Sequence, residues 1–226
     1  MPRQFRFSVV RVGKPLVFCV LAIPLVLLGV DVWREFQLPG SGLGPDPGEE
    51  VVHHLGTWGL RTLLLTLAVS PASRLLKRPQ LVRYRRMVGL WAFTYLVLHF
   101  VSYFWLLGGF AAGVAIDGRR LGFAEALVMD IYKRPYITAG FVALVLLIPL
   151  AITSTRGWQR RLRRRWKTLH RLVYPAAMAA WTHLLWLSKG SFMDPFVYGL
   201  VLVVLFGERI VVRIRKQGLT RAAAAK

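Results

Sequence analysis

The stretch Arg85-Arg86-Met87-Val88-Gly89-Leu90-Trp91-Ala92-Phe93-Thr94-Tyr95-Leu96-Val97-Leu98-His99-Phe100-Val101-Ser102-Tyr103-Phe104-Trp105-Leu106-Leu107 decides how the whole chain is read. Two arginines precede 21 residues that carry no formal charge (107 − 86 = 21). At a rise of about 1.5 Å per residue such a helix covers about 30 Å, the thickness of bilayer hydrocarbon. His99 stands 13 positions beyond Arg86, about 20 Å from the basic edge. An imidazole at that depth is costly and points to function, its bland alternative being a hydrogen bond between helices.

Five more runs of this kind flank it. Apolar windows of about 17–25 residues predict spans at 15–32, 51–69, 87–107, 136–153, 169–187 and 195–212, an all-α bundle of six transmembrane helices in a single domain over residues 1–226. The composition agrees: 55% of the residues are hydrophobic, and the mean hydropathy of +0.48 is too high for a soluble fold. Basic residues ahead of the first run resemble a signal peptide, but no small-residue cleavage site follows, so a retained helix is expected.

A net charge of +21 would suit nucleic acid were it spread over one face. It lies instead between the apolar runs, which excludes that class and sets orientation. Arg74, Lys77, Arg78, Arg83, Arg85 and Arg86 follow span two without an acid, and seven basic residues between Arg156 and Lys167 follow span four. Both loops belong in the cytoplasm. Acids dominate after span one, at Asp31, Glu35, Asp46, Glu49 and Glu50, which places that loop outside and both termini inside. The connection 108–134 is mixed, and residues 122–131 are expected to form a short interfacial helix. The single cysteine, Cys19, excludes an intramolecular disulfide and a thiolate-held cluster.

Five histidines fall within or beside spans: His53, His54, His99, His170 and His183. His183 stands 16 positions beyond Lys167, about 24 Å in, at nearly the depth of His99. Two neutral imidazoles on facing helices are what haem iron takes as axial ligands. His170 and His183 are 13 apart, which turns them about 140° from one another on an ideal helix, so they do not share an iron. His170 lies near the cytoplasmic edge, a place for a second cofactor or an anchor, and no other histidine reaches its depth. Arg74 and Arg85 nearby suit propionate or phosphate oxygens. Arg61, inside span two, calls for a carboxylate, a propionate being one candidate. His53 opens span two as an open candidate, while His54 reads as an interfacial anchor.

The residues also carry a resemblance. Tyr84-Arg85-Arg86-Met87-Val88-Gly89-Leu90-Trp91-Ala92-Phe93 with Leu98-His99-Phe100-Val101-Ser102-Tyr103 resembles span three of the MsrQ (formerly YedZ) family. Arg134-Pro135-Tyr136-Ile137-Thr138, Thr153-Ser154-Thr155-Arg156-Gly157-Trp158-Gln159-Arg160, Arg165-Trp166-Lys167, Leu169-His170-Arg171-Leu172-Val173-Tyr174 and His183 with Trp186 follow in order, and His53-His54-Leu55-Gly56 opens span two as in that family. The resemblance implies a ferric-reductase-like bundle in the bacterial inner membrane that binds b-type haem at His99, His170 and His183, with FMN also associated. It implies an electron-transfer subunit drawing on a cytoplasmic flavin reductase or the quinol pool. Its electrons would pass to a separate periplasmic molybdopterin-containing enzyme that reduces methionine sulfoxide in proteins. Two rivals are weighed from the residues: a proton-coupled transporter, motivated by buried histidines and Arg61, and a haem-free membrane anchor. Few acids in the spans and no clear inverted repeat argue against the first.

Overall fold

The computed structural model describes residues 3–107, 122–188 and 193–224. Eight α-helices are built there: α1 (Arg3–Gln37), α2 (Pro47–Leu75), α3 (Arg85–Ser102), α4 (Phe123–Lys133), α5 (Pro135–Ile152), α6 (Arg156–Leu169), α7 (Val173–Leu187) and α8 (Met193–Ala224). Among the described residues four segments are long and apolar enough to cross a membrane: Gly13–Gln37, Pro79–Leu106, Pro135–Ile152 and Met193–Arg215. The helices expected at 51–69 and 169–187 are present, but neither α2 nor α7 is among those four. Their content explains this: α2 carries Glu49, Glu50, Arg61 and Arg74, and α7 has 15 residues.

Local chemistry sets the ends. Pro47 occupies the first turn of α2, the Asp46 carboxylate accepts from the Glu49 amide at 3.0 Å, and Glu49 and Glu50 complement the helix dipole. Pro135 opens α5. The basic segment after α5, expected as a loop, folds as α6, two helical pieces joined at a kink where Arg163 takes a positive φ of 45°. A 3₁₀ turn, His170–Leu172, then joins α6 to α7, so His170 is not on the helix that carries His183. That removes the ideal-helix premise behind the expected angle between the two, while still keeping them apart. Asp130 and Arg134 sit at the end of α4, the short helix expected near 122–131, where both reach the Tyr103 hydroxyl, at 3.0 and 3.1 Å.

Packing is tightest between α2 and α3 and between α5 and α7. The shared core combines Leu63 and Leu67 with Ala92, Ala143, Ala176 and Ala177. Lipid is as apolar as leucine, so close backbone approach at alanines, rather than hydrophobic burial, holds such helices together. Outward positions such as Leu27, Val203 and Val204 are more than half exposed, as a lipid-facing surface requires. Buried hydroxyls are turned onto their own helices: Thr62 to Trp58 O at 2.6 Å, Thr66 to Thr62 O at 2.8 Å and Thr153 to Pro149 O at 2.5 Å.

Pro24 lies inside the continuous helix α1. Proline removes a ladder hydrogen bond, and a membrane helix tolerates this where neighbours bind the freed groups. Tyr95 of α3, fully buried, donates to the Leu21 carbonyl at 2.7 Å, and a ring nitrogen of His54 lies 3.1 Å from the Pro24 carbonyl. Tyr95→Phe is expected to cost about 1–2 kcal/mol, the penalty for an orphaned buried acceptor. A lower midpoint in thermal unfolding in detergent, with helical content at low temperature unchanged, is the measurement.

Candidate functional site

His99 lies one turn before the end of α3, and His183 lies on α7. Their rings are neighbours, with centres 6.1 Å apart and planes at 73°. Each ring is held from behind by the preceding helix of its own pair. Nδ1 of His99 is 2.8 Å from the Val52 carbonyl on α2, and Nδ1 of His183 is 2.6 Å from the Tyr136 carbonyl on α5. A carbonyl only accepts, so the network assigns the proton to Nδ1 in both rings and leaves each Nε2 with its lone pair. That is the state in which imidazole binds a metal.

The two clamps repeat the same spacing. Histidine and carbonyl are 47 residues apart in both, and one turn beyond each carbonyl stands a glycine, Gly56 or Gly140. A Cβ at Gly56 would lie 2.9 Å from Nδ1 of His99, and one at Gly140 2.9 Å from Nδ1 of His183. These are closer than a methyl group and a ring tolerate, so the bare backbone is what lets each imidazole lie against the neighbouring helix.

The donor set fits a haem. Imidazole nitrogens bind first-row metals at about 2 Å, so two rings facing one metal have centres about 6 Å apart, which matches the observed spacing. Among the described residues no three His, Cys, Asp or Glu side chains converge as a metal cage. Two imidazoles alone suit a metal that brings its own equatorial ligands, as haem iron does.

The remaining sequence candidates are placed as follows. His170 stacks on Trp166, ring centres 4.0 Å apart, with Nε2 3.2 Å from Thr153 Oγ1. His53 is half exposed beside Glu49 at 3.4 Å. Arg85 reaches Ser70 Oγ at 3.4 Å. Arg74 is bidentate on Glu208 at 2.9 and 2.6 Å. Arg61 donates to the Tyr198 hydroxyl at 2.9 Å and lies over the Trp58 ring, so a phenol and an aromatic face meet it where a carboxylate was expected. Sequence reading missed Gly140 and the two carbonyl acceptors. The one available signal was the equal interval from glycine to histidine, 99 − 56 = 43 and 183 − 140 = 43.

Residues 55–181 of this helical bundle match the family described as ferric reductase like transmembrane component. The haem-binding subunit MsrQ of protein-methionine-sulfoxide reductase from Xanthomonas campestris pv. campestris strain 8004 is 41% identical over 213 residues, covering 94% of this chain and 92% of the relative. The protein of the same description from Xanthomonas oryzae pv. oryzae strain MAFF 311018 is 43% identical over 200 residues, 88% of this chain and 86% of the relative. That from Rhodospirillum rubrum is 41% identical over 213 residues, 94% of each chain. No solved structure matches. The chain belongs to the MsrQ family of ferric-reductase-like membrane components.

Proposed function

We propose that this chain is a transmembrane electron carrier in which His99 and His183 hold a b-type haem. The observation that carries the reading is the pair of apposed imidazoles, each with Nδ1 on a carbonyl and Nε2 left free. Bound haem would supply a centre that alternates between ferric and ferrous states. The protein's part is orientation: the carbonyl bonds fix the ring tautomers, and Gly56 and Gly140 fix ring position.

In this reading all six apolar helices span the bacterial inner membrane with both termini in the cytoplasm. The polar content of α2 and α7 reflects their interior position rather than a surface one. Electrons enter from a cytoplasmic flavin reductase or from quinol. They leave to a periplasmic molybdopterin enzyme that reduces methionine sulfoxide in proteins, the system in which the relatives are named as haem-binding subunits. FMN is a second cofactor on the family resemblance alone. His170, stacked on Trp166 at the other end of the bundle, marks the entry side.

Purified protein should show a Soret band and, after dithionite, the sharp α and β bands of a low-spin haem with two nitrogen ligands. A folded, colourless preparation would refute the reading. Arg74→Gln should leave that spectrum unchanged, because its partly exposed ion pair with Glu208 is worth at most about 1 kcal/mol.

A further inference from the structure

A second polar site is built where α2 ends and α3 and α7 begin. Arg209 of α8 points inward there. One terminal nitrogen donates to the Leu67 carbonyl at 2.7 Å, and the other donates to the Tyr174 hydroxyl. Its Nε–H is buried and has no acceptor. Arg85, at the start of α3, lies within electrostatic range of Arg209, Tyr174 and His170. Its one hydrogen bond to a side chain, to Ser70, is long at 3.4 Å. Among the described residues neither guanidinium has a carboxylate within ion-pair distance, since the nearby acid, Glu208, is taken up by Arg74.

This arrangement is electrostatically incomplete. Two like charges in a poorly solvated space repel, and a buried N–H without an acceptor costs about 1–3 kcal/mol. An oxyanion set among these groups would remove both penalties, and guanidinium donors suit the paired oxygens of a carboxylate or phosphate. We infer that Arg85, Arg209 and the Tyr174 hydroxyl form an oxyanion site that takes a carboxylate or phosphate group of a bound amphiphile. The group has two possible sources, a carboxylate on the rim of a bound haem or the phosphate of an anionic phospholipid. The first rests on the haem reading and the second does not.

The experiment uses the full chain in nanodiscs, with the unchanged protein, Arg209→Gln and Arg85→Gln compared. Arg85→Gln is included because its hydrogen bond to Ser70 is long, at 3.4 Å, which makes it the safer variant for folding. Haem b and its dimethyl ester are titrated by Soret absorbance in phosphatidylcholine discs, and phosphatidylglycerol adducts are counted by native mass spectrometry in mixed discs. A carboxylate occupant predicts that both variants bind haem b about tenfold more weakly, the loss of one charge-assisted hydrogen bond, with the ester unaffected. A phosphate occupant predicts that phosphatidylglycerol adducts fall about tenfold while both haems titrate as before. If folded variants change neither readout, the oxyanion site does not exist. Absent haem binding in the unchanged protein would sink the functional reading and leave the phospholipid arm to be decided on its own.

Discussion

His183→Ala and His99→Ala should each abolish the low-spin haem spectrum while the chain still inserts and folds. Each ring supplies one imidazole of a pair whose centres lie 6.1 Å apart. Removing one leaves the metal with a single protein ligand, so the sharp α and β bands should vanish rather than shift. Added imidazole should restore part of the signal in the alanine variants, because the deleted side chain leaves space of its own shape. His170→Ala provides the contrast. If it removes the low-spin signature and His183→Ala does not, the assignment of the pair is wrong.

The second large effect needs no change to a ligand. Gly140→Ala or Gly56→Ala places a methyl carbon 2.9 Å from the neighbouring Nδ1. The ring must retreat and the carbonyl bond lengthen. Overpacking of this kind costs about 1–3 kcal/mol, so haem affinity should fall about tenfold or more. Valine should be worse than alanine at both positions. Electron paramagnetic resonance of the ferric form gives a readout that a general loss of stability would not move, since it responds to imidazole orientation. Gly207→Ala, where nothing lies within 4 Å of an added Cβ, is the matched control. Unchanged spectra and affinity in the Gly140 and Gly56 variants would show that the glycines do not position the rings.

How far the sequence led can be judged from these same residues. Counting depth from Arg86 and Lys167 brought His99 and His183 to one level, and the structure sets their rings side by side. Rise along an axis survives small errors in helix geometry, which is why depth was legible. Rotation was less so: the 3₁₀ turn at His170 resets the angle between elements, and nothing in His170-Arg171-Leu172 announces it. The carbonyl clamps were hidden for a different reason, since any residue can offer its backbone oxygen. Arg209 was hidden by company: in a tail rich in arginine, only the fold distinguishes the one that turns inward toward Leu67. The helical segment at Arg156–Leu169 was hidden by its charge, which reads as orientation, and nothing in the run of arginines marks the kink at Arg163.

The repeated clamp also bears on how the molecule is put together. Val52 with His99 belongs to the α2–α3 hairpin, and Tyr136 with His183 to the α5–α7 pair. Each half therefore holds its own imidazole, and in the proposed reading the cofactor adds a bridge across a seam that Leu63, Leu67, Ala92, Ala143 and Ala176 also fill. Chains made under haem starvation should accumulate with intact hairpins but a loose seam, seen as faster protease cutting between the halves and cured by adding haem.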